Sequence, residues 1–100
     1  MGSVQYCYSN LQAVQDGIFT DVTPNSMADK GQMWLLSTDV AAMNLSRAAI
    51  GELYNELAVA YNQGREINPL ITLMNGKCLW LFLESEDNYT IFKVITPNEY

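Results

Sequence analysis

Residues 70–83 read LITLMNGKCLWLFL and carry the clearest structural signal in the chain. Asn75-Gly76 lies between two apolar runs of strand length, and this dipeptide is typical of the two-residue turn of a β-hairpin. The pattern predicts one strand over residues 70–74 and another over residues 77–83. Every position from Cys78 to Leu83 is apolar, so we expect both faces of the second strand to be covered.

A third strand follows this hairpin, and a long helix precedes it. A charged turn over residues 84–88 leads into the predicted third strand, Tyr89 to Ile95, which Pro97 ends. Ser46 is a typical N-cap and Gly64 suits a helix end, so we expect a helix from about Ser46 to about Asn62. Its predicted apolar stripe consists of Ile50, Leu53, Tyr54, Leu57 and Tyr61.

Gly51 lies inside this predicted helix, where glycine costs about 1 kcal/mol relative to alanine. Close packing against a neighbouring element would explain its presence. The predicted helix can cover only one face of the strand over residues 77–83, which is the central strand of the predicted meander.

The N-terminal half predicts short elements separated by turn residues. A strand over Val4–Tyr8 is followed by a short helix over Asn10–Asp16, with Ser9 as its N-cap, and then by an extended segment over Ile18–Val22. The positions that we expect to end helices in this half are Gly17 and Gly31.

The sequence predicts two further helix starts in this half. Thr23-Pro24 fits an N-cap followed by proline at the first helical position. Gln32–Leu36 is expected to be extended, and Ser37, Thr38 and Asp39 can cap one or two helical turns through Met43.

The predicted fold class is α+β: a C-terminal three-stranded antiparallel meander packed on one long helix, with short N-terminal helices and strands. A chain of 100 residues is expected to form a single domain over residues 1–100. The second face of the central strand would be covered by the N-terminal half, which we favour, or by a second copy in a homodimer. Any part left exposed would be a partner patch.

The composition excludes several kinds of site. The chain has no histidine, which removes Ser-His-Asp and Cys-His catalysis and most zinc sites. Its six glycines are isolated, which argues against a glycine-rich phosphate loop. Cys7 and Cys78 form no Cys-x-x-Cys pair, and two reduced thiols are favoured over a disulfide. No cofactor is predicted.

Carboxylates remain the only source of acid–base or cation chemistry. Asp16 and Asp21 flank a short extended segment and could converge as the pair of a carboxylate-based enzyme, although turn and capping roles are the favoured interpretation. Glu52 and Glu56 are one helical turn apart, which without further ligands indicates a solvated face and not a metal site.

Net charge restricts the partners. Eleven acidic and five basic residues give −6, which argues against a nucleic-acid backbone or an anionic membrane and leaves a basic protein surface. No apolar run reaches the roughly 18 residues that span a bilayer, and no N-terminal leader is recognised, so a cytoplasmic location is expected. The predicted partner-binding residues are Glu84, Glu86, Asp87, Glu52, Glu56 and Tyr100.

Residues 8–22, YSNLQAVQDGIFTDV, resemble the opening of a family of short, functionally uncharacterised phage and plasmid proteins. The shared pattern is Tyr, Ser or Thr, three residues, Ala, a β-branched residue, one residue, Asp-Gly, three residues and Asp-Val. The resemblance is closest there and looser over Met27–Val40 and the helix from Arg47.

This resemblance implies a protein of mobile genetic elements. Together with the missing catalytic motifs, it makes the leading hypothesis a non-enzymatic protein that binds a host protein, for example an inhibitor of bacterial defence such as an anti-CRISPR. Two alternatives stay open beside the carboxylate-based enzyme and this inhibitor. One is a small-ligand or nucleotide-binding sponge, which a pocket lined by Trp34, Trp80 or tyrosines would favour. The other is a homodimer whose seam is the two-faced strand.

Overall fold

The computed structural model describes residues 10–86 and 88–99, and the predicted strand at Val4–Tyr8, its Cys7 and the Ser9 cap lie outside them. The fold is mixed α+β, as predicted, with one long helix. In chain order the elements are α1 (Asn10–Gln15), β1 (Phe19–Asp21), α2 (Asn25–Ala28), β2 (Gln32–Ser37), α3 (Thr38–Ala41), α4 (Arg47–Asn62), β3 (Leu70–Met74), β4 (Lys77–Glu86), β5 (Tyr89–Ile95) and a final 3₁₀ turn (Pro97–Glu99).

Within residues 10–86 and 88–99 the sheet has five strands in the order β1-β2-β5-β4-β3, so it is larger than the predicted three-stranded meander. Strands β3, β4 and β5 pair antiparallel in sequence order. Strand β2 adds parallel to the other side of β5, and β1 adds antiparallel to β2. A parallel pair needs a long connection between its strands, and the chain from α3 to β4 supplies it.

The β3–β4 hairpin has the predicted turn. Met74 lies opposite Lys77, and Asn75 and Gly76 have φ angles of 53° and 78°. Positive φ at both central residues defines a type I′ turn, whose twist matches that of the flanking strands. Strand β4 continues to Glu86, so Glu84 belongs to a strand and not to the predicted turn.

Helix α4 covers one face of the sheet and has the predicted bounds. The Ser46 Oγ accepts a hydrogen bond from the Ala49 N–H at 3.1 Å, which caps the helix. On the helix, the buried residues are Ile50, Leu53, Leu57 and Ala60. They share one core with strand residues Trp34, Leu36, Leu70, Leu79, Leu81, Phe92 and Val94.

Two tyrosines of the predicted stripe differ in their surroundings. Tyr54 stacks on Trp34 with 4.6 Å between ring centroids, and Phe92 meets both rings edge-on. Tyr61 was expected in the core, but it is 60% exposed because it lies in the last turn, at the rim of the helix–sheet contact.

The second face of the sheet carries the alternate side chains of each strand. Leu35, Phe82, Ile91 and Ile95 are buried there. At the β3 edge the burial ends, and the side chains exposed are Ile71, at 58%, and Leu73, at 73%.

The short N-terminal elements differ from prediction at one cap. Helix α2 begins at Asn25 with Pro24 in the N-cap position and no side-chain capping bond, so the expected Thr23 cap is wrong. The Ser37 cap is confirmed, because its Oγ accepts from the Val40 N–H at 3.4 Å. Helix α3 then ends at Ala41 and not at Met43.

Gly51 does not fit the close-packing explanation. A Cβ added at this position would meet no atom within 4 Å, and its φ is not in the left-handed region. The glycine therefore lowers the stability of α4 without a packing gain in the described part of the chain.

We expect Gly51→Ala to raise the free energy of unfolding by about 0.5–1 kcal/mol, because alanine restricts the unfolded chain and fits the open space. Urea unfolding measures the change. Gly64→Ala is the control, and it should lower stability because Gly64 has a φ of +71°. A destabilised Gly51→Ala variant would contradict the open space seen beside α4.

Candidate binding surfaces

Glu84 lies on the second face of the sheet and has a counter-ion. Its Oε1 is 3.0 Å from the Nζ of Lys93, and both side chains are more than half buried. The same Nζ lies 5.4 Å from the centre of the Phe19 ring, within the range of a cation–π contact. Glu84 therefore helps to hold Lys93 over the sheet, in addition to any role at the surface.

Glu52 and Glu56 lie on the outer face of α4, on the other side of the sheet from Glu84. Both are exposed, and Val59, one turn further along this face, is 43% exposed. The structure thus does not bring the described members of the predicted footprint onto one face. Asp87, Tyr100 and the side chain of Glu86 lie outside what the structure describes.

Asp16 and Asp21, the candidate carboxylate pair, each bond within their own turn. The Asp21 Oδ1 accepts from the Thr23 N–H at 2.9 Å and from the Thr23 hydroxyl. Asp16 accepts from the Gln12 Nε2 at 3.4 Å. These contacts are of the kind by which aspartates stabilise turns.

A cleft of about 700 Å³ opens where α2, β2 and the start of α4 meet. Its lining combines a buried indole, a loop of small polar residues and one cation: Asp21, Val22, Thr23, Pro24, Asn25, Ser26, Trp34, Leu45, Arg47 and Ile50. Sequence reasoning pointed to Trp34 but missed Arg47, since nothing in the local pattern places the start of α4 beside the residue 22–26 loop.

Trp34 presents little of its ring to this cleft. It is 4% exposed and its Nε1 donates to the Gln32 Oε1 at 3.0 Å. Its backbone N–H donates to the Thr23 Oγ1 at 2.8 Å. The Thr23 hydroxyl thus links the Asp21 turn to β2. It does not cap α2.

Further chemistry is limited in the parts of the chain that the structure describes. Over residues 10–86 and 88–99, no three metal-ligating side chains lie together, and Cys78 is a free thiol. Within the same residues, none of the helices is both long and apolar enough to cross a bilayer.

Comparisons with protein-family models, with curated proteins and with solved structures found no match to this chain. The resemblance of residues 8–22 to phage and plasmid proteins therefore stays a prediction.

Thr23→Val should lower the free energy of unfolding by about 1–3 kcal/mol, because it leaves the part-buried Trp34 N–H without its acceptor. Thr23→Ser keeps the hydroxyl and should recover most of the loss. Urea unfolding of both variants measures the difference. A Thr23→Val variant as stable as Thr23→Ser would contradict a stabilising role for the hydroxyl.

Proposed function

We propose that this protein is a non-enzymatic product of a phage or other mobile element that binds a basic host protein through the outer face of α4. The effect proposed for this binding is inhibition of a bacterial defence system, of which anti-CRISPR action is one form. The observation that carries the proposal is the carboxylate pair Glu52 and Glu56.

This pair has no basic neighbour beside it on the helix surface. The residues three and four positions from either glutamate include no lysine or arginine. In the part of the chain that the structure describes, neither carboxylate has an ion-pair partner. Two like charges four positions apart destabilise a helix by about 0.2–0.5 kcal/mol. Solubility would be served equally well by carboxylates spaced further apart, so the pairing favours a binding role.

Val59 adds an apolar element to the same face. It follows Glu56 by three residues and so lies beside it, with 43% of its surface exposed. Lysine and arginine carry apolar stems below their charged groups. A basic partner could therefore place its charges on the two carboxylates and its stems on Val59.

The charge of the whole chain supports the same class of partner. A net charge of −6 attracts basic surfaces over a distance and repels acidic ones. Such attraction mainly raises the association rate and weakens as salt is added. The resemblance of residues 8–22 to mobile-element proteins supports the host-directed role.

Glu56→Lys separates stability from binding. The change replaces a repulsive pair by an attractive Glu-to-Lys pair four positions apart, so the free energy of unfolding should rise by about 0.5–1 kcal/mol. Binding to a basic partner should fall at least tenfold. Urea unfolding measures the first effect, and capture of partners from a bacterial lysate at low and high salt measures the second.

Asp29→Lys is the matched control, because it alters net charge equally at an exposed site outside α4. It should retain the captured partner. Recovery of no specific partner by the unchanged protein, or equal losses in the two variants, would contradict the proposal.

A second candidate function is supported by the cleft beside Trp34. Its volume of about 700 Å³ lies in the range of small-ligand sites, and Arg47 supplies a cation for an anionic group. These two features support a small-ligand or nucleotide-binding sponge, with Arg47 as the main contact because Trp34 is only 4% exposed.

Calorimetric titration with a panel of nucleotides tests this second candidate. A bound nucleotide should lose at least tenfold in affinity on Arg47→Ala and should retain its affinity on Arg65→Ala, which removes an exposed arginine beyond the far end of α4. Absence of binding heat across the panel would exclude nucleotides as its ligands.

A further inference from the structure

Strand β3 is a sheet edge without the features that usually block edge pairing. Among the described residues, 10–86 and 88–99, the two edges of the sheet are β1 and β3, and β1 has only three residues. Strand β3 has five, with the sequence LITLM. Natural edge strands are commonly protected by charges, prolines, bulges or short length. β3 has no charge and no proline.

The hairpin turn fixes which backbone groups of β3 are available for pairing. In a type I′ turn the C=O of Met74 accepts from the N–H of Lys77, so this pair is hydrogen-bonded. Hydrogen-bonded and non-hydrogen-bonded pairs alternate along antiparallel strands. Thr72 and Leu70 therefore also bond to β4, whereas the N–H and C=O groups of Ile71 and Leu73 point away from it.

The same two residues also carry the exposed apolar side chains. Ile71 and Leu73 are 58% and 73% exposed on the face opposite α4. Across the ladder they lie beside Trp80 and Cys78, which are half-buried. Backbone and side chains at these two positions thus both offer contacts to an added strand.

We propose that β3 pairs antiparallel with β3 of a second copy, about a twofold axis at Thr72. This register places Ile71 opposite the partner's Leu73 and Leu73 opposite the partner's Ile71. Each of these pairs exchanges two hydrogen bonds, which uses all the outward-pointing groups of the two residues. The five-stranded sheets become one sheet of ten strands.

Self-complementarity and charge favour a second copy over another partner. Under twofold symmetry the same patch must fit itself, and a register centred on Thr72 pairs two side chains with the same number of carbons. The whole β3 strand is uncharged, so two chains of −6 meet there without opposed carboxylates in the seam. A basic partner would find no carboxylate on this strand.

Light scattering coupled to size exclusion tests the proposal on the full chain. Over about 10 μM to 1 mM, the range suited to a small interface, the mass should rise from 11.2 kDa towards twice that value. Added salt should favour the dimer, because the contact is apolar and the two chains are both acidic. Binding at the α4 face should respond to salt in the opposite direction, so the two proposals can fail separately.

A pair of double variants tests the register. Ile71→Lys with Leu73→Lys places like charges opposite each other and should weaken the dimer at least tenfold. Ile71→Lys with Leu73→Glu places opposite charges across the seam and should restore pairing. Tyr61→Lys with Gln63→Lys is the control, since it introduces the same two charges at exposed sites at the end of α4 and should leave the dimer unchanged.

Hydrogen exchange on the unchanged protein provides a second test, which does not depend on whether the variants fold. The amides of Ile71 and Leu73 should become protected as protein concentration rises, while exchange of the Glu52 and Glu56 amides stays constant. A single-chain mass throughout the concentration range, or a dimer that survives two lysines, would overturn the proposal. Failure of the Lys–Glu variant to recover would overturn the Thr72 register.

Discussion

Covering β4 on both faces is the constraint on which the rest of the structure depends. Leu79 and Leu81 are fully buried against α4, and Phe82 is buried on the opposite face. Burial of such side chains contributes about 1.5–3 kcal/mol each. The neighbouring strand β5, which is central among the described strands, is buried on both faces as well. Helix α4 can cover only one face of β4. On the opposite face of the sheet, burial ends at β3, where Ile71 and Leu73 are exposed.

Local signals in the sequence predicted the elements whose causes are local. The Asn75-Gly76 turn, the Ser46 cap and the Ser37 cap are each determined by residues within four positions, and the structure has all three. The positive φ angles at Gly17 and Gly64 follow from the same short-range chemistry.

Pairing between distant strands could not be predicted from such local signals. The parallel contact of β2 with β5 joins Trp34 to Phe92, and no short pattern marks which distant strand will be the neighbour. The Thr23 cap failed for a related reason: its hydroxyl bonds to the Trp34 amide, a tertiary contact that outweighs a local capping preference.

The candidate binding residues show the same division. The charge and spacing of Glu52 and Glu56 could be predicted from the sequence. The counter-ion of Glu84 could not, because Lys93 reaches it only through β4–β5 pairing. The exposure of Ile71 and Leu73 was hidden as well, since LITLM is apolar on both faces and gives no sign that β3 is an edge. The lack of charge in β3 indicates an unprotected edge only once the strand order shows that β3 lies at the edge of the sheet.

The proposed dimer and the proposed acidic surface are geometrically compatible. Antiparallel pairing of Ile71 with the partner's Leu73 keeps these side chains on one common face of the ten-stranded sheet. Both copies of α4 must then lie on the other face, with Glu52 and Glu56 of each helix directed outwards. Two identical acidic surfaces on one side of the same sheet suit a partner with two basic sites, for which linked binding can raise affinity by about 10²–10⁴. The apolar edge would thereby strengthen the charged interaction that is proposed for a single copy.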